Sequence, residues 1–304
     1  MFTYKWNTHT RTYLRLVALC LFIYSTVSIS ASWWSLITFV ILLASVYLLD
    51  TSDISQGKLC LLVLSNKRQV EVALAISAFV TYDSPENCEA TEKFLPIKER
   101  TECIFAKKAN IWGCRDFDLR LTLEENVYRS GPMFLKFTLV CEELGLDGFV
   151  FILPGDQFGA NPSVFGTGVR RVLKVLSDLD PAGVKCMDKP YVDKAGWVFE
   201  FKRITMFITT FAPCYPEHHS RYSFGSQDCF ILFQPELSFA QHNLPDDTAH
   251  TNWERPQTVR DRIRLAFREA GRGYQIRETV TYPMAHDIVK PATMGDPVVE
   301  WWKD

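Results

Sequence analysis

The pattern of hydrophobic and polar residues divides the chain into an apolar N-terminal part and a longer part of mixed charge. Between Leu16 and Leu49, 34 residues pass without one Asp, Glu, Lys or Arg. One membrane span needs about 20 residues, so the run is long enough for two short helices. The more polar residues 28–34 include two tryptophans, as interfacial turns often do. The pattern predicts a transmembrane hairpin of two short helices within residues 1–50, with membrane contact through residues 14–49.

Basic residues flank this apolar run on both sides, with Arg11 and Arg15 before it and Lys67 and Arg68 after it. A hairpin places both flanks on the same side, and the positive-inside rule favours the cytosol. We therefore expect a membrane protein whose main domain faces the cytosol. A signal peptide cleaved near Ala31 is the alternative, but it leaves the second half of the apolar run unexplained.

Residues 51–93 are interpreted as a linker of uncertain structure, and residues 94–304 as the main domain. Hydrophobic periodicity and turn residues predict the elements of this domain. The predicted helices are 132–144, 162–178 and 257–272, and the predicted strands are 147–153, one or two strands in 197–211, and 229–234. This order lacks a strict alternation of strand and helix. It predicts an α/β or α+β fold with a mixed central sheet and flanking helices.

The helix predicted for 257–272 has an apolar face and many arginines. Ile263 and Phe267 lie on the predicted inner face, whereas Arg264 and Arg268 belong to a group expected mostly outside. Gly273 is the predicted C-terminal cap.

Composition and missing motifs exclude several classes of function. The net charge of -2 and the pI near 6.3 show no excess of positive charge, so we expect no nucleic-acid partner. The nine cysteines are odd in number and form no CxxC pair, which favours reduced thiols over a disulfide framework. The chain has no Walker A sequence, no HExxH, no GxSxG and no glycine-rich dinucleotide fingerprint.

The most distinctive chemistry lies in the segment FAPCYPEHHSRYS, residues 211–223. Two prolines stiffen a turn that carries His218, His219 and Arg221. A neutral imidazole there could ligate iron, and the arginine could pair with a carboxylate. The alternative is a surface turn with solvated histidines.

Two cysteines are further candidates. Cys103 precedes Lys107 and Lys108, whose charges could lower its pKa and make it a thiolate ligand. Its alternative role is that of a small buried apolar residue. Cys214 could form a nucleophile pair with His218 or His219, as in a cysteine-dependent hydrolase.

Three segments together resemble the YqcI/YcgG family. They are FAPCYPEHHSRYS followed by FILFQPELSF, the earlier ECIFAKKANIWG, and LDGFVFIL. The similarity spans about residues 95–304. The resemblance implies a haem b protein that activates dioxygen. It also implies a haem-dependent N-hydroxylase of an arginine-like or guanidino small molecule, supplied by an external electron donor.

The resemblance also implies roles for individual residues. His219 corresponds to the histidine that precedes the family's Ser-Arg or Pro-Arg pair, and it is the favoured iron ligand. Cys103 falls on the early cysteine and is the second choice. Arg221 is expected to hold a haem propionate or a substrate carboxylate, with Tyr222 beside the cofactor.

A guanidino substrate also needs acidic residues, and Asp246 and Asp247 are the candidates by residue type. A second hypothesis has a different class of function. In it, the domain binds a ligand or partner at a membrane and catalyses nothing.

Overall fold

A computed structural model describes residues 84–242, 251–274 and 281–303. They form a mixed five-stranded sheet with helices packed against it, which confirms the predicted core of the fold. The helices are α1 (Glu89–Arg100), α2 (Ile104–Lys108), α3 (Leu123–Leu144), α4 (Gly155–Phe158), α5 (Pro162–Leu179), α6 (Glu236–Gln241), α7 (Val259–Glu269) and α8 (Ala285–Ile288), with a 3-10 turn at Cys186–Asp188. The strands are β1 (Ile111–Gly113), β2 (Gly148–Leu153), β3 (Phe199–Phe201), β4 (Ile204–Phe211) and β5 (Cys229–Pro235).

The strand order is β1-β2-β5-β4-β3. Strands β1 and β2 are parallel and are connected through α3, whereas the other neighbours are antiparallel. Phe149 is paired with Phe233 between β2 and β5, and Phe233 is paired with Ile208 of β4. The start of β2 therefore lies beside the end of β5. The residues that precede β2 and those that follow β5 consequently lie at the same end of the sheet.

Phenylalanine rings form the centre of the core on the face of the sheet that α3 covers. The ring of Phe134 lies 5.2 Å from Phe149, 4.8 Å from Phe201 and 5.1 Å from Phe233, all with edge-to-face geometry. Aromatic rings favour this arrangement beyond the gain from burial alone.

The opposite face of the sheet is covered by α1, α2 and α6. Phe94 of α1 packs edge-on against Phe211 and Phe230, at 5.7 and 5.5 Å between ring centroids. Because α1 begins at Glu89, the end of the segment that we interpreted as a linker is a helix with a buried face.

Helix α3 begins well before the predicted start at residue 132. Thr122 caps it, because its side chain accepts the N–H of Glu125 and the Glu125 side chain accepts the N–H of Thr122. Pro132 lies inside the helix, where the sequence pattern had suggested a beginning. The predicted end at Gly145 is confirmed, with a left-handed φ of 59°.

Residues 197–211 contain two strands. The turn between β3 and β4 places Lys202 and Arg203 at φ values of 55° and 58°, the left-handed pair that a tight hairpin requires. In α7, Arg264 is buried and donates to Thr251, contrary to the expected outward position. The left-handed residue after α7 is Gly271, at φ 68°, rather than the predicted Gly273.

Among the described residues, no helix is long and apolar enough to cross a membrane. The hairpin predicted for residues 1–50 lies outside them. Its membrane contact and the cytosolic orientation therefore stay predictions.

Candidate functional site

The turn between β4 and β5 contains His219, the predicted iron ligand, as a buried side chain. The imidazole is stacked on the Tyr215 ring at 4.5 Å between centroids and 8° between planes. Its Nδ1 accepts the backbone N–H of Arg221 at 3.0 Å. The backbone of Pro291 lies near enough to the ring to act in the opposite direction, raising its pKa. The imidazole is therefore enclosed by the fold, with Nδ1 as an acceptor.

The protonation of His219 follows from these surroundings. Burial and, to a smaller extent, the nearby charges of Arg221 and Lys290 lower its pKa to about 4. The imidazole is therefore neutral at physiological pH, with Nδ1 as the acceptor and the other nitrogen carrying the proton.

Arg221 is also buried, and its guanidinium donates to the backbone carbonyl of Asp287 at 3.0 Å. Its charged group lies 6.0 Å from the centroid of Phe211. Burial lowers its pKa, and the negative charge of Asp287 opposes that change. Arg221 thus contacts the carboxyl-terminal part of the described chain rather than an open site.

Two more side chains make the same kind of contact. Thr210 donates its hydroxyl to the carbonyl of Ile288, and Tyr215 donates to the carbonyl of Lys290 at 2.8 Å. Together with Arg221, they fasten residues 287–290 to the turn, and His219 is stacked on Tyr215. We call these three donors, His219 and the segment they hold the carbonyl clamp.

The carbonyl clamp does not fit a haem held by His219. An axial ligand needs an imidazole nitrogen with a free lone pair directed at the iron. The lone pair of Nδ1 is already occupied by the N–H of Arg221, and a neutral imidazole that accepts at Nδ1 carries its proton on the other nitrogen. Within the described residues, no group of three His, Cys, Asp or Glu could hold a metal ion either.

Tyr222 lies next to a second arginine. The Arg272 guanidinium is 5.5 Å from the centroid of Tyr222 and 4.5 Å from that of Phe224. It donates to a Glu102 carboxylate oxygen at 2.9 Å and to the carbonyl of Glu217. Tyr222 therefore packs against a cation of the protein itself.

Cys103 precedes the first residue of α2 and is not activated in the predicted way. Burial raises the pKa of its thiol, and this effect exceeds the opposing influence of Arg260 and Lys107. The prediction of a lowered pKa is wrong, because desolvation of the thiolate outweighs the nearby lysine charge. The Cys103 thiol is therefore protonated at neutral pH.

Cys214 lies in the same turn as His219. Burial raises its pKa to about 11, so the thiol is protonated at neutral pH and is a poor nucleophile. Asp246 and Asp247, the predicted partners of a guanidinium, lie outside the described residues.

The sequence analysis missed a pair of residues, Asp147 and His242, at the end of the sheet where β2 begins. Asp147 is 3% exposed, and its Oδ2 accepts the backbone N–H of Asn110 at 2.8 Å. Its Oδ1 lies 2.7 Å from Nε2 of His242, which follows α6 and is 43% exposed. A buried carboxylate thus orients an imidazole that reaches solvent.

His242 lies at the end of a row of three phenylalanine rings. Its ring is 5.0 Å from that of Phe105, which lies 5.6 Å from Phe239, and Phe239 lies 5.7 Å from Phe207. Phe105 and Phe239 are half-buried, and Phe207 is exposed. We call Phe105, Phe207, Phe239 and His242 the aromatic surface.

Sequence reasoning had one usable signal for this pair. Asp147 is a charged residue directly before a strand whose six residues are all buried. A charge in that place needs a partner. The partner is 95 positions away, so no local spacing identifies His242.

Comparison with known proteins adds no relative, since no family model, no curated protein and no solved structure matches this chain. The resemblance to the YqcI/YcgG family therefore depends on the three segments alone and stays a prediction.

Proposed function

We propose that this domain binds a small phenol-type ligand at the aromatic surface. This is the ligand-binding function that the sequence analysis gave as its second hypothesis. The observation that carries it is an imidazole fixed by a buried carboxylate among accessible aromatic rings. The carbonyl clamp offers no comparable opening, because its polar side chains are bonded internally.

The rings supply the apolar half of the proposed contact. Phe105, Phe207 and Phe239 keep part of their surface in water, and a flat aromatic ligand removes that surface from solvent. Ring pairs at 4.5–7 Å with tilted or edge-on geometry are favourable beyond burial alone. The phenylalanine rings of the aromatic surface already pack against one another with this geometry.

His242 supplies the polar half. In the neutral imidazole, Nε2 carries the hydrogen that Asp147 accepts, so Nδ1 is an acceptor. No described residue hydrogen-bonds Nδ1. A hydroxyl on an aromatic ring matches both halves, because the ring packs on phenylalanine and the hydroxyl donates to Nδ1.

The test is ligand-observed NMR with the full chain and 4-ethylphenol. We expect saturation transfer from the protein to 4-ethylphenol and a weaker effect for ethylbenzene, which lacks the hydroxyl. Phe239→Ala should weaken the transfer, and Tyr128→Ala serves as the matched control. Tyr128 is 51% exposed on α3, which packs against the opposite face of the sheet.

Equal transfer in the wild type and in Phe239→Ala would contradict the proposed site. Equal transfer from 4-ethylphenol and ethylbenzene would show apolar adsorption without the polar contact, and would contradict the proposed ligand class.

A further inference from the structure

The His242–Asp147 pair has the arrangement of an acid–base group. Asp147 is held from one side by the N–H of Asn110 and contacts the imidazole on the other. Because the carboxylate is buried and fixed, it favours the tautomer of His242 with its hydrogen on Nε2, which leaves Nδ1 to take a proton. Neither residue takes part in the carbonyl clamp.

We propose that His242 takes the hydroxyl proton of a bound phenol whose own pKa is near neutral, so that such a ligand is held mainly as a phenolate. This inference rests on the proposed function and deepens it. The ligand O–H bond breaks, an N–H bond forms at Nδ1, and the electron pair stays on the phenol oxygen. The imidazolium then lies between two anions, the Asp147 carboxylate and the phenolate, and no oxidant or reductant is needed.

The surroundings of the pair are suited to this transfer. Phe105 and Phe239 exclude water from one side of the contact, which strengthens the attraction between opposite charges. The elements in contact with the pair also carry exposed charges of both signs. These are Lys107 and Lys108 on α2 and Glu142 and Glu143 on α3, whose chain meets Gln241 beside His242.

The probe is 4-nitrophenol, which absorbs visible light as the phenolate and not as the phenol. Full-length protein is added at a pH where both forms are present in solution. We expect the phenolate-to-phenol ratio of the bound probe to rise about threefold to tenfold, which corresponds to a shift of roughly half a unit to one unit in the ligand's pKa. Binding itself is measured in parallel by ligand-observed NMR.

Two variants isolate the proton transfer. His242→Gln keeps a polar side chain but cannot take the proton, so the probe should still bind through the rings without an increase in phenolate. Asp147→Asn should reduce the increase, because the imidazolium loses its anionic partner. His218→Gln is the matched control, since His218 is exposed and has no hydrogen bond or ion pair through its ring within the described part of the chain.

Each outcome has a clear meaning. Binding with no rise in phenolate, or a rise that persists in His242→Gln, overturns the proton transfer while leaving the ligand site intact. Absence of binding by NMR overturns the proposed function itself. A rise that is lost in His242→Gln, reduced in Asp147→Asn and kept in His218→Gln supports the inference.

Discussion

Two histidines in this protein occupy opposite environments. Their comparison shows that the residue type alone does not determine the role of a histidine. His219 is buried inside the carbonyl clamp, stacked on Tyr215 and bonded to the backbone N–H of Arg221. His242 is bonded through one nitrogen and is 43% exposed. The first imidazole stabilises a turn, and the second is available for chemistry. Burial makes the difference.

Removing each imidazole ring in turn tests this difference most directly. His219→Ala leaves the N–H of Arg221 unpaired and opens a cavity beside Tyr215. We expect a loss of about 4 kcal/mol in the free energy of unfolding. His242→Ala should cost about 2 kcal/mol, because the buried Asp147 carboxylate loses a partner that water can replace. Urea unfolding followed by tryptophan fluorescence measures both, and equal losses would contradict the assignment.

Acid should distinguish the two histidines next. The pKa of His219 is lowered from 6.5 to about 4 in the folded chain, mainly by burial. Between these values the unfolded chain binds the proton more strongly, so stability falls as the pH drops through this window. We expect a loss of up to roughly 3 kcal/mol between pH 6.5 and 4 that is attributable to His219.

The measurement is urea unfolding at several pH values between 4 and 7. His219→Gln removes the titrating group and should flatten the pH dependence, whereas His218→Gln should leave it unchanged. Parallel profiles for the wild type and His219→Gln would show that the acid sensitivity arises elsewhere.

A smaller effect tests whether Arg272 stabilises the turn through its flat guanidinium. Arg272→Lys keeps the charge but loses the planar contact with Phe224 and the directed hydrogen bond to Glu102. We expect a destabilisation of about 1–2 kcal/mol. Arg262→Lys is the matched control on exposed α7 surface and should stay within about 0.5 kcal/mol of the wild type.

The smallest expected effect concerns haem. Because the lone pair of His219 is occupied, hemin added to the full chain should give the same absorption spectrum in the wild type and in His219→Ala. Urea unfolding first establishes the conditions in which the variant is folded. A Soret band that shifts in His219→Ala and not in His218→Ala would restore the role that the family resemblance implies.

The sequence predicted those elements whose signals are local. Strand β2 follows from six consecutive apolar residues, and α5 from the helical spacing of Phe165, Val169 and Val172. Helix α1 was missed because its surface is polar and it contains Pro96. Arg264 was misplaced because helical periodicity does not reveal a buried partner such as Thr251.

The proposed binding surface was not predicted from the sequence. The turn with His219 and Arg221 was singled out as unusual, since two prolines and paired histidines are visible in sequence. Its internal hydrogen bonds were not predicted, because the acceptors in residues 287–290 are backbone carbonyls, which carry no sequence signal. The Asp147–His242 pair was beyond reach for a different reason, since it depends on a strand pairing between distant segments.

The carbonyl clamp has a consequence for the order in which the chain is made. The acceptors for Arg221 and Thr210 lie 66 and 78 residues later in the sequence. At about 5–20 residues per second, a ribosome needs about 4–15 s to supply them. During that interval the buried donors of the turn have only water or a chaperone as partners. Nascent chains halted before residue 287 should therefore be the forms most exposed to quality control.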